Sequence, residues 1–255
     1  MVYGIYQSAG GLLVNQYRME VLANNLANVE TPGFKQDLTV VRERRAESAV
    51  RMAGLEASDP GLKGMTGGSL VAPTVTSFAP GSVETTDRPL DVALRGEGFF
   101  TVEGPGGTER YTRDGRFTVN ETGELVTVAG GRRVLDEAGA PIVIPRNAQE
   151  RVRIDAGGQV MDGDQVLGQL GVVDFDDKSL LRKTGSNLIE SLGAKKTVLT
   201  DAAVQPGAIE QSSVEPTHAM VSMIEVNRAY QMNATLIGLA DSTLGRAVND
   251  IARIR

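Results

Sequence analysis

The sequence predicts an α+β fold: paired N- and C-terminal long helices, coiled-coil-like, flanking a mainly antiparallel β-domain. Three observations predict it. Both ends of the chain carry apolar residues at alternating steps of three and four. The middle changes to alternation with a period of two, broken at short intervals by turn residues. Glycine is abundant, 30 of 255 residues, while aromatics are 4% and tryptophan is absent, which fits many tight turns and short strands.

The first helix is expected within residues 1–30. From Tyr3 to Val29 there is no proline, and Ile5, Ala9, Leu12, Gln16, Met19, Ala23 and Leu26 recur at heptad steps, six of the seven apolar. The helix should stop before Thr31-Pro32-Gly33, because proline disfavours helix in the residue before it. Asn24, Asn25 and Asn28 crowd its end although asparagine is a poor helix former. They read either as C-terminal caps or as amides that hydrogen-bond between packed helices and fix register. Three within five residues favours the second.

Residues 31–80 read as an extended connector, rich in Gly, Pro, Ser and Thr from Gly54 to Pro80. The basic run from Arg42 to Arg45, interrupted by Glu43, reads as a solvated face. Residues 81–212 form the expected β-rich outer domain. Its strands begin with Leu90–Leu94 and Phe99–Val102, then Tyr111–Val119 with Asp114-Gly115 as a turn dipeptide at its middle. Short apolar segments at Leu125–Val128, Val134-Leu135, Ile142–Ile144, Val152–Ile154 and Leu170–Phe175 continue the pattern. That spacing predicts small antiparallel hairpins.

The last helix is expected within 213–255, with Pro216 in its first turn and Arg253 and Arg255 complementing the dipole at its end. A seam is predicted through Met220, Met223, Asn227, Tyr230, Ala234, Ile237, Asp241, Leu244, Val248 and Ile251, eight of the ten apolar. At 1.5 Å per residue the two helices would each reach roughly 40–55 Å. Two seams can cover each other, yet a two-helix pair still leaves apolar surface that asks for neighbours.

Composition narrows the function. The net charge of −6 disfavours nucleic-acid binding, which needs basic clusters to displace counterions from phosphates. No cysteine is present, so disulfide and thiolate chemistry are excluded. No ordinary secretory signal opens the sequence, and no stretch of about 18 apolar residues would insert stably in a bilayer. The sole histidine, His218, lacks partners for a zinc site and reads as a surface or cap residue. Gly96-Glu97-Gly98 lacks the third glycine of a dinucleotide loop and reads as a strand-leading turn. The acidic groups Asp162/Asp164 and Asp174/Asp176/Asp177 lack EF-hand spacing and read as solvated turns. No catalytic, cofactor or metal residues are assigned. Two other classes compete: a carboxylate hydrolase acting on the cell wall, which needs two positioned acids with separated pKa values, and a monomeric β-rich binding module or adhesin.

Ala23-Asn24-Asn25-Leu26-Ala27-Asn28, followed by Thr31-Pro32-Gly33-Phe34-Lys35, resembles the N-terminal signature of the bacterial flagellar rod and hook family. Met223-Ile224, Asn227-Arg228-Ala229-Tyr230 and Asn233 resemble its closing helix. Arg88–Ala93 leading to Gly98-Phe99-Phe100, Tyr111–Gly115 and Gly123–Thr127 are similar to its β-domain. The departures are Ser212-Ser213-Val214 where the family commonly has Ser-Asn-Val, and Asn227 and Gln231 where it often has Gln and Glu. Length and a single β-domain fit a rod rather than a hook subunit. Arg88–Asp91 and Gly139–Pro145 lean toward a proximal position in the rod, with a distal position as the alternative.

The resemblance implies a non-enzymatic subunit of the basal-body rod. It implies export without a cleaved signal by the flagellar export apparatus, and terminal helices that order on assembly with copies of itself and other rod or axial proteins to form part of the motility driveshaft. The residues expected to make subunit contacts are Leu12, Met19, Ala23, Asn24, Asn25, Leu26 and Asn28 in the first helix. In the last they are Met223, Ile224, Arg228, Tyr230, Ala234, Ile237, Leu244 and Val248.

Overall fold

The computed structural model describes residues 2–43, 68–146, 148–149, 151–199 and 203–252. The chain divides into two compact units. One comprises Met1–Ala27, Asp37–Val75 and Pro216–Arg255, and the other Asn28–Gln36 and Thr76–Glu215. Residues 44–67 of the expected connector, Arg44 and Arg45 of the basic run, and the dipole-complementing Arg253 and Arg255 lie outside the described residues. So does the side chain of Ile251.

The first unit is built on two helices, α1 (Val2–Ala27) and α2 (Pro216–Ala252). α1 ends ahead of Thr31-Pro32, and α2 begins on Pro216, whose missing N–H loses nothing at a helix start. The helices pack on each other, and α1 also packs against Ser69–Val71. That strand pairs antiparallel with Val41–Glu43, and all six residues of the ribbon are solvent-exposed.

The α1 seam keeps Ile5, Ala9, Leu12, Met19 and Leu26 half-buried, as the sequence reading expects, whereas the phase of the α2 seam differs. In α2 a covered line runs through Ala219, Met223, Val226, Tyr230, Asn233, Ile237, Ala240, Leu244 and Ala247 at alternating steps of four and three, with Ser222 and Ala229 half-buried beside it. Met223, Tyr230, Ile237 and Leu244 are common to both frames. The other half of the predicted seam, Met220, Asn227, Ala234, Asp241 and Val248, faces solvent. Small Ala219 and Ala247 carry little hydrophobic signal, so Met220 and Val248, one residue later, drew the frame. In α1, Leu13, Gln16, Glu20, Ala23 and Ala27 face out, and the covered side runs through Gly11, Asn15, Arg18, Leu22 and Asn25. Here too the predicted members Gln16 and Ala23 lie outside.

The second unit centres on a six-stranded antiparallel sheet. Its strands are β1 (Phe99–Glu103), β2 (Glu109–Thr112), β3 (Val172–Phe175), β4 (Leu181–Gly185), β5 (Leu188–Ser191) and β6 (Lys196–Val198). Their spatial order is β4-β5-β2-β1-β3-β6. Successive side chains point to opposite faces, so adjacent apolar pairs serve both sides. Phe100, Val172 and Leu188 enter a large core with Phe117, Leu125, Val134, Ile144, Val160 and Leu170. Phe99, Val173 and Ile189 enter a smaller one with Tyr111, Phe175 and Leu181. Fully burying each Phe contributes about 1.5–3 kcal/mol.

Short antiparallel pieces close the large core. They are a three-stranded meander of Val152–Ile154, Gln159–Asp162 and Gln165–Gln169, and a ribbon of Phe117–Val119 with Leu125–Thr127. The ends of the body's sequence meet as two further ribbons, Val92–Leu94 with Val204–Pro206 and Val83–Thr85 with Ala208–Glu210. Val134-Leu135 and Val143 form only isolated bridges. Asp114-Gly115 is not a hairpin turn. β2 pairs with β1 and β5, whereas Phe117–Val119 pairs with Leu125–Thr127, so the dipeptide is a corner where the chain leaves one sheet for another. Gly98 has φ of 122° and leads directly into β1, the turn role expected of Gly96–Gly98.

Candidate assembly interface

The expected contact residues fall into groups. Leu12, Met19, Leu26, Met223, Tyr230, Ile237 and Leu244 are half-buried in the first unit. Ala23, Asn24, Ile224, Arg228, Ala234 and Val248 are exposed. Asn25 is buried and Asn28 half-buried.

Beyond those residues, α2 presents an outward stripe that the sequence reading did not separate from the seam. Val221, Ile224, Arg228, Met232 and Leu239 recur at helical spacing on the side away from the covered residues, all exposed, with Met232 at 66% and Leu239 at 57%. Arg228 is the one charge in it. Tyr6 and Leu13 on α1 are 73% and 67% exposed. Large apolar side chains recurring on one exposed side of a helix are the kind of surface that a packing partner would cover. A signal was present: apolar residues beyond those one seam requires.

Asn25 has a role different from interhelical hydrogen bonding. Its amide makes a two-way contact with the backbone of Asp37. Nδ2 donates to the carbonyl at 2.8 Å, and Oδ1 accepts from the N–H at 3.0 Å. The side chain thereby imitates a strand partner and ties α1 to the chain that follows residue 36. At Asn28 the carbonyl accepts from the Thr31 N–H and Oδ1 accepts from the Thr31 hydroxyl, each at 3.2 Å. This is a local turn lock before Pro32.

Within the second unit, the segment 28–36 is held by a buried ionic centre. Lys35, Arg113 and Glu210 have side chains only 2%, 4% and 1% exposed. Lys35 Nζ donates to Glu210 Oε1 at 2.6 Å and to the Ala79 carbonyl at 2.8 Å. Arg113 donates to Glu210 Oε2 at 3.0 Å and to the Gly96 carbonyl at 2.7 Å, and the Gly81 N–H reaches Oε1 at 2.8 Å. Two cations share one carboxylate. Burial pushes the Lys35 ammonium below its ordinary pKa, a shift that Glu210 opposes and Arg113 reinforces. The Gly33 N–H donates to the Glu210 carbonyl at 2.7 Å. Gly33 has φ of 68°, and a Cβ there would lie 2.4 Å from the Arg113 carbonyl carbon, so only glycine fits. Asn187 Nδ2 donates to the Pro32 carbonyl at 2.7 Å, Lys183 Nζ donates to the Lys35 carbonyl at 2.8 Å, and that ammonium lies 3.9 Å from the Phe34 ring centre. Lys35 and Arg113 sit within motifs legible in the sequence, but nothing local marks Glu210 as their partner.

Fold and surface together define a class: a structural α+β protein whose terminal helices keep an apolar face turned outward. Among the described residues no helix is long and apolar enough to cross a membrane. Three family descriptions match in order along the chain. Residues 5–35 match "Flagella basal body rod protein", 93–162 match "Flagellar hook protein FlgE/F/G D1 domain", and 205–250 match "Flagellar basal body rod FlgEFG protein C-terminal". The flagellar basal-body rod protein FlgF of Caulobacter vibrioides is 36% identical over 92% of each chain. The rod protein FlgG of Bacillus subtilis is 32% identical over 98% of this chain and 99% of its own length. FlgG of Borreliella burgdorferi is 31% identical over 98% of both. The chain belongs to the flagellar basal-body rod protein family. It is a structural component of the flagellar basal body, not an enzyme.

Proposed function

We propose that this chain polymerises through its terminal helices with copies of itself and other rod subunits, and so forms part of the driveshaft of the flagellum. The observation that carries this reading is the outward apolar stripe of α2 at Val221, Ile224, Met232 and Leu239. Leaving it in water forgoes about 25 cal/mol for each Å² of apolar surface that packing would remove. The domain scheme follows: helices within 1–30 and 213–255 form a helical core, the 31–80 segment connects them to the body, and the 81–212 body lies outside. Delivery is by the flagellar export apparatus, a route open to a chain with no disulfide to break.

The position in the rod is proximal, supported by Arg88–Asp91 and Gly139–Pro145. Relatives named FlgF and FlgG align over nearly the whole chain at similar identity, which supports the rod family at large. Two substitutions on the exposed stripe, Ile224→Asp and Leu239→Asp, test the assembly reading. Expected are loss of swimming and of incorporation into basal bodies, with an unchanged melting transition of the β-body. Normal motility of the double variant would overturn the reading. Complementation of strains lacking one rod subunit at a time tests the position, and rescue of only a distal-subunit deletion would reverse it.

A further inference from the structure

The two helices contain several glycines, and they are not equivalent. At Gly4, Gly10, Gly238 and Gly245 a Cβ would meet nothing within 4 Å. At Gly11 it would stand 2.9 Å from Asn233 Nδ2, 3.3 Å from Cγ and 3.4 Å from Oδ1. The Asn233 side chain therefore lies directly on the α1 backbone, in space that only the missing side chain of Gly11 leaves open. Among the described residues Asn233 is also the only amide in the covered line of α2, whose other members are apolar or aromatic. A glycine inside a helix is conformationally costly, and an amide in an apolar seam weakens packing while specifying alignment. The two unfavourable residues meet each other. A slip of one turn along α1 would place Gln7 or Asn15 at the notch, and both carry the Cβ that Gly11 lacks.

We propose that Gly11 and Asn233 form the register key of the terminal-helix pair, a notch and an amide that hold α1 and α2 of one chain in a single alignment. The key does not depend on the rod reading, since both residues belong to one chain. Without it, an apolar seam of Ala, Met, Val and Leu would tolerate sliding. With it, the outward stripe of α2 is held at one rotation and height relative to α1.

The chain has no cysteine, so introduced pairs report cleanly. In the full-length dilute protein, G11C/N233C and G10C/N233C are oxidised and analysed by non-reducing electrophoresis and mass spectrometry. Disulfides require Cβ atoms about 3.5–4.5 Å apart. Expected is closure of the first pair within a single chain and failure of the second. Equal closure of both, closure of neither, or closure only between chains would overturn the proposal. A second arm uses Gly11→Leu, Gly10→Leu and Asn233→Gly. Gly11→Leu should lower the melting midpoint of the helices, adding Asn233→Gly should restore it, and Gly10→Leu should not lower it. Equal tolerance at both glycines would count against the key. Intrachain closure of G11C/N233C combined with normal motility of the Ile224/Leu239 double variant would retain the key and reject the assembly reading.

Discussion

The β-body and the helix pair solve the same burial problem to different degrees. In the body, Phe99, Phe100 and Phe117 are at most 1% exposed, and its two buried cations share a buried carboxylate. In the helix pair, Val14 and Val226 are buried, yet Tyr6, Leu13, Met232 and Val248 are each at least 66% exposed. Strands joined by short turns can fold back until every apolar face is covered. Two helices share only one line of contact, so each keeps an uncovered side. The body buries its largest side chains within one chain, whereas the helix pair leaves large apolar side chains exposed.

The contrast can be broken most severely at Glu210. Glu210→Gln leaves Lys35 and Arg113 buried without a compensating charge and should destabilise the body by about 3–5 kcal/mol. Urea denaturation followed by circular dichroism measures this. A loss below about 1 kcal/mol would mean that water replaces the carboxylate and that the centre is less closed than its burial implies.

A smaller effect is expected in the seam. Leu244→Asp puts a charge on the half-buried line of α2 and should weaken the helix pair by about 1–3 kcal/mol, with the body's unfolding midpoint unchanged. Limited proteolysis with fragment masses separates the two. Coupled loss of helices and body would show the pair to be part of the body's cooperative unit.

Alkaline pH probes the body alone. Burial, and then the charge of Glu109, push the Tyr111 hydroxyl up to about 12, above its ordinary value of about 10. The native state therefore holds this proton more tightly than the unfolded state does. The stabilisation is complete below about pH 10 and is lost as pH rises toward 12. Comparing Tyr111→Phe with the parent across that window should show the parent alone losing this contribution. Parallel curves would place the titration elsewhere. The smallest effect is a gain: Gly10→Ala, into open space, should stabilise α1 by about 0.5–1 kcal/mol, read as helix content on thermal melting.

Much of the fold was legible because it rests on local chemistry. Pro32 and Pro216 bound the helices, heptad steps announce them, and short apolar segments such as Phe99–Val102 between turn residues announce strands. Half of the α2 seam was displaced by one residue because alanines pack without advertising it, whereas Met220 and Val248 advertise without packing. Asn25 is unusual in a helix for its type, but which backbone it grips depends on where the chain returns at Asp37. Asp114-Gly115 carries the residues of a hairpin turn but makes a corner, because β2 finds better partners in β1 and β5.

The sequence by itself determined the element types, the terminal placement of the helices and the family, since periodicity, turn residues and ordered motifs are properties of short stretches of chain. Only the tertiary structure decided which side of each helix is covered, that Gly11 makes room for Asn233, and that Lys35 finds Glu210 across 175 positions. Those are outcomes of packing. Whether a side chain is buried, paired or left outward depends on residues far away in sequence, and local pattern carries no record of them.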